Sequence, residues 1–129
     1  MLRGPLGNTK YKPKFSGHDT FPFRYAWLTK LVNYLEDGKA KTIKESDKKR
    51  LETISDLGVG LNMVKSIKHW SIAAKVCDKD FKLTNFGKLL FSKNNSFDPY
   101  LEKIETLWLL HWMLSSGETL TTWYYVFNY

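Results

Sequence analysis

Residues 47–74 read DKKRLETISDLGVGLNMVKSIKHWSIAA, and this stretch decides the fold of the chain. Its apolar positions recur every three or four residues, which predicts one helix over residues 47–57 and a second over residues 62–74. Gly58-Val59-Gly60 makes a tight turn between them. Two short helices around a glycine-containing turn are typical of a helix-turn-helix. The inward faces are apolar: Leu51, Ile54 and Leu57 on the first helix, and Met63, Val64, Ile67, Trp70 and Ala74 on the second.

The outward face of the second helix carries basic and polar side chains and no acid. This composition suits a recognition helix in the major groove of DNA, where donors meet phosphates and base edges. The alternative is an ordinary solvated face, although such faces usually mix acids with bases. The residues expected to contact DNA from this helix are Asn62, Lys65, Ser66, Lys68 and His69.

The residues behind the second helix predict a wing. Residues 75–78 and 81–83 can form two short strands, with Asp78-Lys79-Asp80 as the turn between them. Thr84 can then cap a helix that continues through Phe91. Residues 82–90, KLTNFGKLL, also resemble the x-L-T-x-x-G-x-x-L ending of many winged-helix domains. Lys82 in this wing is a further expected DNA contact.

The charge distribution divides the chain into a basic part and a neutral, aromatic part. The 129 residues carry a net charge of +7, but residues 1–75 hold 15 basic and 7 acidic residues while residues 76–129 hold 5 and 6. This asymmetry favours a polyanion such as DNA as the partner of the first part. Lysines scattered for solubility are the alternative. Residues 1–14 predict a basic, flexible arm whose Lys12 and Lys14 contact DNA.

The segment FSGHDTFPFR at residues 15–24 leads into a helix predicted over residues 22–37. Thr20 or Asp19 can cap this helix, Pro22 suits its first turn, and Gly38 ends it.

His18, Asp19 and Arg24 form the most polar cluster of this segment. One interpretation is a catalytic or phosphate-binding site in which Arg24 grips a phosphate. The other is a structural knot in which Asp19 caps the helix and Arg24 pairs with a carboxylate. A metal ion bound by His18 and Asp19 would need more ligands than this segment supplies.

The last part of the chain, residues 99–129, is apolar and aromatic. Asp98-Pro99 predicts a helix that breaks near residues 102–103 and continues as TLWLLHWML over residues 106–114, until Gly117. Because this run is apolar on every side, it must be enclosed by other structure or by a second chain. A final helix is predicted over residues 123–129, capped within residues 119–122. These helices are the predicted surface for a homodimer or for protein partners.

Several function classes find no support in the sequence. The acidic residues form no recognisable metal-nuclease pairing, and no Gly-rich phosphate loop or Ser-His-Asp order is visible. The single cysteine, Cys77, excludes an internal disulfide and suits a reducing cytoplasm. No signal peptide or membrane-length apolar stretch is present. The chain is therefore expected to be cytoplasmic and non-catalytic, with no cofactor, no metal and no membrane contact.

Three ordered stretches resemble one bacterial family of domains of unknown function, which is found in phage-defence and DNA phosphorothioation gene clusters. They are FSGHDTFPxRYxWL at residues 15–28, GVGxNMVxSIxxW at residues 58–70 and LWLLHW at residues 107–112. The resemblance runs from about Lys14 to the last residue. Because family members are longer, it implies that the chain is an N-terminal part. The sequence departs mildly at Asp19, where the family usually has Glu.

The resemblance implies a nickase-type subunit, encoded beside a sulfur-transfer enzyme and an ATPase, that nicks DNA so that sulfur can be placed in the backbone. It places no nicking residue within these 129 positions. Together with the patterns above, it predicts a mainly α-helical, winged helix-turn-helix-like domain over residues 15–98, with additional helices over residues 99–129. This domain would bind double-stranded DNA and present it to its protein partners for nicking or modification. The alternatives are a non-DNA adaptor or dimerisation module, and a transcriptional regulator of the gene cluster.

Overall fold

The structure is a computed structural model that describes residues 4–38, 57–117 and 119–129. Within these ranges the chain forms a short 3-10 helix, Gly4–Gly7, and five α-helices. They are α1 (Tyr25–Glu36), α2 (Leu61–Ala73), α3 (Asn85–Phe91), α4 (Ile104–Ser116) and α5 (Thr121–Asn128). The prediction of a mainly helical fold is confirmed for the described residues. The helix predicted over residues 47–57 lies outside them, except for Leu57.

α1 and α2 pack against each other through one apolar stripe on each helix, and the stripe of α2 is the one that the sequence predicts. The buried side chains of each helix recur at helical spacing, so one side of each faces the core. The bounds of α2 agree with the predicted bounds to within one residue. The buried residues of the two stripes are Trp27, Leu28, Leu31, Val32 and Leu35 in α1, and Val64, Ile67, Trp70 and Ala73 in α2.

α1 begins at Tyr25 rather than at Pro22, so the predicted capping by Thr20 or Asp19 is wrong. Arg24 is the N-cap residue, with extended backbone and no side-chain hydrogen bond to the helix. The predicted end of the helix is confirmed, since α1 ends at Glu36 and the turn that follows contains Gly38.

Contacts with α2 explain why residues 21–24 stay extended. The indole Nε1 of Trp70 donates a hydrogen bond to the carbonyl oxygen of Phe21 at 3.1 Å. The ring of Phe23 also meets the Trp70 ring edge-on, with 6.0 Å between the ring centroids. Winding these residues into α1 would break both contacts. Tertiary packing therefore overrides the local signal for a helix start.

The predicted wing is reduced to one isolated antiparallel bridge, between Cys77 and Leu83. One residue from each predicted strand takes part in this bridge. The prediction of two continuous strands is wrong. The carboxylate of Asp78 accepts the backbone N–H of Lys82 at 3.0 Å, and this bond closes the turn. Phe81 inside the turn has a left-handed φ of +58°, which a regular strand excludes.

α3 starts where the sequence predicts, and its cap is confirmed. The hydroxyl oxygen of Thr84 accepts the N–H of Gly87 at 3.0 Å, as an N-cap side chain does. The backbone N–H of Thr84 donates to the carbonyl oxygen of Val76 at 3.1 Å. Thr84 therefore joins the start of α3 to the segment that follows α2.

The helix predicted to start at Asp98 is wrong at its beginning, because α4 starts only at Ile104. Asp98 is buried, and its carboxylate accepts the backbone N–H groups of Glu102 at 2.8 Å and Lys103 at 2.9 Å. These bonds close a turn in front of α4, so the capping signal at Asp98 serves this turn. The predicted main body over residues 106–114 is confirmed.

α4 is buried on one side only. Thr106, Leu110 and Leu114 face the core, whereas Trp108 and Trp112 are 66% and 68% exposed. The structure supplies no enclosure for the exposed side among the described residues, so the expected partner of this side remains a prediction. No helix in the described ranges has the length and apolar character needed to cross a bilayer.

α5 begins two residues before its predicted start, and the predicted side-chain capping within residues 119–122 is wrong. Leu120 is the N-cap residue and makes no such bond. The hydroxyl of Thr121 is engaged elsewhere: it lies 2.8 Å from the phenol oxygen of Tyr11 and accepts the N–H of Lys14 at 2.8 Å. The end of the predicted arm therefore lies against the first turn of α5.

Asp98→Asn is expected to destabilise the protein by about 1–3 kcal/mol at neutral pH, since one buried N–H loses its acceptor. Burial alone would raise the pKa of Asp98, but the N–H groups of Glu102 and Lys103 hold it below its usual value. The stabilisation is therefore present above the unfolded pKa and lost as the pH falls through the folded one. Urea unfolding at neutral pH and near pH 3 measures this. Exposed Glu102→Gln is the control, and a difference between wild type and Asp98→Asn that does not shrink at acid pH would contradict the argument.

Candidate nucleic-acid interface

The exposed side of α2 carries the first group of predicted DNA contacts. Asn62 and Lys65 are exposed, and α2 contains no acidic residue over its 13 positions. Lys68 follows Lys65 at a spacing of three residues, so the two side chains lie on neighbouring parts of the same helix surface.

Lys68 connects this surface to the turn of the wing. Its Nζ lies 5.1 Å from the centroid of the Phe81 ring, within the range of a cation–π contact. Lys82, the predicted DNA contact of the wing, is the next residue and is exposed. The structure therefore places the turn of the wing, in which Lys82 follows Phe81, against Lys68 of α2.

Ser66 does not belong to this surface. Its side chain is fully buried, and its hydroxyl oxygen has no hydrogen-bond partner among the described residues. A buried side chain cannot reach a DNA phosphate, so the assignment of Ser66 as a DNA contact is corrected. The next turn of the helix explains the burial, because Trp70 and Ala73 continue the same inward row.

The helical wheel predicts that His69 points outward into solvent. In the structure its side chain is instead half-buried. Its ring centroid lies 5.8 Å from that of His18 and 5.4 Å from that of Trp70. Burial, followed by the nearby charges of Lys14 and His18, lowers the pKa of His69 from 6.5 to about 4, and Asp19 offsets this in part. His69 is therefore neutral at pH 7 and can donate or accept a hydrogen bond, but it adds no charge to the surface.

A close approach of the backbone at Gly17 makes this contact fit. Gly17 has a φ of +120°, and a Cβ atom at this position would lie 2.7 Å from Nδ1 of His69. Only glycine combines that backbone conformation with so short a distance. The glycine of the FSGHD motif therefore lets the loop lie directly on α2.

The predicted polar cluster of His18, Asp19 and Arg24 divides into two places. His18 packs against His69, and Asp19 is close enough to influence the pKa of His69. The guanidinium of Arg24 lies 5.9 Å from the Phe21 ring centroid and 5.6 Å from that of Trp27. Asp19 does not cap α1, so this contact of the structural-knot interpretation is wrong. No ion pair joins Arg24 to a carboxylate among the described residues, and its predicted pairing stays a prediction.

The basic arm reaches the same region. The carbonyl oxygen of Lys14 accepts the N–H of Thr121 at 3.3 Å, and the N–H of Lys14 donates to the Thr121 hydroxyl. Lys12 and Lys14 are both exposed. Since Lys14 also contributes to the electrostatic environment of His69, the end of the arm lies beside the exposed side of α2.

These segments enclose an open cleft of about 220 Å³, here called the histidine cleft. Its walls come from the arm, the following loop, α2 and the start of α5. Sequence reasoning selected several of its residues as separate features but did not predict that they meet. The residues that line the cleft include Lys14, Phe15, His18, His69, Trp70 and Trp123.

A second surface lies on α4 and α5 and is called here the aromatic groove. It encloses about 770 Å³ and includes the exposed rings of Trp108, Trp112 and Phe127. The third histidine, His111, contacts Phe127 edge-on with 4.4 Å between centroids. His111 therefore belongs to an aromatic packing layer.

Two observations bear on catalysis and metal binding. Burial, followed by the charge of Asp78, raises the pKa of the Cys77 thiol to about 12, so the buried thiol is not an activated nucleophile. Within the described ranges no three His, Cys, Asp or Glu side chains gather in a way that could hold a metal ion.

The fold and this surface define the class of the molecule: a small helical domain with a basic, acid-free helix surface beside a histidine cleft. Residues 15–129 match the model of the family described as protein of unknown function (DUF4007), so the chain belongs to this family. The resemblance to a family of domains of unknown function is confirmed to this extent. No curated protein matches the chain.

Two solved structures are similar to it. One is a magnesium ion-bound SspB crystal structure, with 30% sequence identity and a TM-score of 0.63 over 81% of this chain and 31% of that chain. The other is an SspB crystal structure, with 31% identity and a TM-score of 0.63 over 80% of this chain and 32% of that chain. The present chain therefore spans about a third of the length of these SspB chains.

Proposed function

We propose that this domain binds double-stranded DNA for a bacterial phosphorothioation or phage-defence protein and presents the duplex for nicking or modification. In this proposal α2 is the recognition helix of a winged helix-turn-helix, and the turn at residues 77–83 is its wing. The basic arm holds the phosphates on the opposite side of α2. The domain itself needs no catalytic residue for this function.

The observation that carries the proposal is the exposed, acid-free side of α2 between two other basic segments. Lys65 is exposed on α2, Lys82 follows on the wing side, and Lys14 follows on the arm side. Exposed lysines on such neighbouring segments can each meet a phosphate of a DNA backbone, and binding of this kind depends mainly on charge.

The comparisons support the setting of this function. The two similar structures are both of SspB, a protein of a phosphorothioation system. By analogy, the domain would work in the cytoplasm with protein partners of a phosphorothioation complex. In this proposal the domain presents the duplex, and the residues of the DNA-binding surface do not themselves nick it.

The Lys65→Ala/Lys68→Ala double variant is expected to bind duplex DNA at least about tenfold more weakly than the wild type, because two phosphate contacts are lost. Fluorescence anisotropy of a labelled duplex, at about 50 and 200 mM salt, measures both affinity and its salt dependence. Wild-type binding should weaken strongly with salt, and the slope of log affinity against log salt should decrease by about one for each lost contact.

Lys103→Gln is the matched control for this experiment. It removes one positive charge where the double variant removes two, but Lys103 precedes α4, and its Nζ contacts Phe97 rather than α2. This variant should bind DNA as the wild type does. Equal binding of the double variant and the wild type, or no wild-type binding, would reject α2 as the DNA-binding element. A regulator would instead bind tightly to one sequence only, which a second, unrelated duplex reveals.

The second candidate function is a non-DNA adaptor or a homodimerisation module, favoured by the aromatic groove. Trp108 and Trp112 each expose about two thirds of their surface, and exposed apolar patches of this kind often mark protein–protein contacts. This function predicts a weak salt dependence and no loss of partner binding in the Lys65→Ala/Lys68→Ala variant. The same anisotropy experiment therefore separates the two candidates.

A further inference from the structure

The histidine cleft has a polar side suited to an anion. Lys14 supplies a charged ammonium group, while the His18 and His69 rings lie 5.8 Å apart and each offers ring nitrogens. Thr122 adds a hydroxyl at the N-terminal end of α5, where the helix dipole favours negative charge. The groups that face the cleft from the arm, α2 and α5 are basic or neutral, and Asp19 lies at its edge.

Aromatic rings line the cleft beside these groups, since both histidine rings pack against Trp70. The Trp70 and Trp123 rings meet edge-on, with 6.5 Å between their centroids, and Trp70 is almost fully buried. Phe15 lines the cleft but is 62% exposed, so most of its ring surface is uncovered. Aromatic faces beside basic groups are the combination with which proteins hold a nucleobase and its phosphate.

The loop that forms one wall is held in an unusual backbone conformation. The N–H of Phe21 donates to the carbonyl oxygen of His18 at 3.0 Å, which closes a tight turn. The two central residues, Asp19 and Thr20, have φ values of +47° and +64°, the signs found in a type I′ turn. This conformation is costly for a β-branched residue such as Thr20, and costly backbone of this kind clusters at functional sites.

We propose that the histidine cleft binds one phosphorylated nucleoside, with the phosphate near Lys14, His69 and Thr122 and the base stacked on Phe15. An open cleft of about 220 Å³ excludes a duplex and can cover only part of one nucleotide, the rest of which faces solvent. The same chemistry is offered by a free mononucleotide and by the 5′-phosphorylated end of a DNA strand. This proposal goes beyond duplex binding by α2 and can fail or succeed independently of it.

Isothermal titration of the protein with four ligands tests the proposal. Deoxyadenosine monophosphate is expected to bind at least about tenfold more tightly than deoxyadenosine or inorganic phosphate alone, because only the nucleotide can contact both the basic and the aromatic groups of the cleft. A 5′-phosphorylated tetranucleotide that binds still more tightly identifies a strand end as the ligand. Weaker binding of the tetranucleotide than of the monophosphate identifies the free nucleotide.

A pair of aromatic variants locates the bound base. Phe15→Ala should weaken deoxyadenosine monophosphate about tenfold through loss of stacking. Tyr25→Ala is the matched control, because Tyr25 is 63% exposed and does not line the cleft. The Lys65→Ala/Lys68→Ala variant should bind the nucleotide normally while losing the duplex, so the two proposals are separated in one set of proteins.

The imidazole signals of His69 in NMR report the phosphate directly. A bound phosphate should raise the pKa of His69 from about 4 back towards 6.5, against the opposing effects of burial, Lys14 and His18. An unchanged His69 titration, equal binding of inorganic phosphate and the monophosphate, or an unaffected Phe15→Ala variant would each overturn the proposal.

Discussion

Gly87→Ala is expected to lower the free energy of unfolding by about 3 kcal/mol, the upper end of what overpacking usually costs. A Cβ atom at Gly87 would overlap the carbonyl oxygen of Val76 and lie 3.0 Å from its carbonyl carbon. Neither atom can move freely, because the same carbonyl oxygen accepts the N–H of Thr84. In an exposed helix the same substitution would stabilise by up to about 1 kcal/mol, so the contact reverses the sign of the effect.

Urea unfolding followed by circular dichroism measures this difference, with Gly60→Ala as the control. Gly60 has nothing within 4 Å of its Cβ position and an ordinary negative φ. Its replacement should change stability by no more than about 1 kcal/mol, the cost of a poorer N-cap. If Gly87→Ala were as stable as the wild type, the close docking of α3 on the segment after α2 would be wrong.

The helices that the sequence predicts best are those whose own stripe decides their burial. α2 follows this rule, whereas the main body of α4, which is apolar on every side, is located by the length of its apolar run. The bounds of both agree closely with the prediction. The start of α1 fails because Phe21 is held by Trp70, which lies 49 residues further along the chain. No local pattern near Pro22 carries that information.

The same dependence on distant contacts explains why the predictions for Ser66 and His69 of α2 were wrong. On a helical wheel Ser66 lies at the edge of the apolar stripe, and its burial depends on how broadly α1 covers α2. His69 lies on the predicted outward face, but the loop at Gly17 folds back over it. Both outcomes depend on packing between segments that are far apart in sequence.

The histidine cleft was beyond sequence reasoning for a related reason. Its walls come from residues 14–18, 69–70 and 120–123, and their meeting requires the arm to bond with Thr121. Each signal in the sequence concerned one segment alone: a glycine before His18, and a tryptophan after His69. Only the three-dimensional contacts make them parts of one site.

Trp70 is the residue on which these distant segments converge, and Trp70→Ala is expected to destabilise the protein by about 3–5 kcal/mol. Its ring contacts Phe23 from the segment before α1 and Trp123 from α5, in addition to the two histidines of the cleft. Removing it leaves a cavity at this junction and also leaves the Phe21 carbonyl without its donor.

Two variants separate the parts of this effect and exclude a general sensitivity to tryptophan loss. Trp70→Phe keeps most of the apolar volume but removes the indole N–H, so it should cost less than Trp70→Ala, about 1–2 kcal/mol. Trp108→Ala removes an equally large ring that is 66% exposed and should cost well under about 1 kcal/mol. Urea unfolding of the three variants gives the order directly. Trp70 joins α2 to both walls of the histidine cleft. A Trp70→Ala protein as stable as Trp108→Ala would therefore mean that these walls are not packed as described. Nucleotide binding in the cleft would then lose its structural basis.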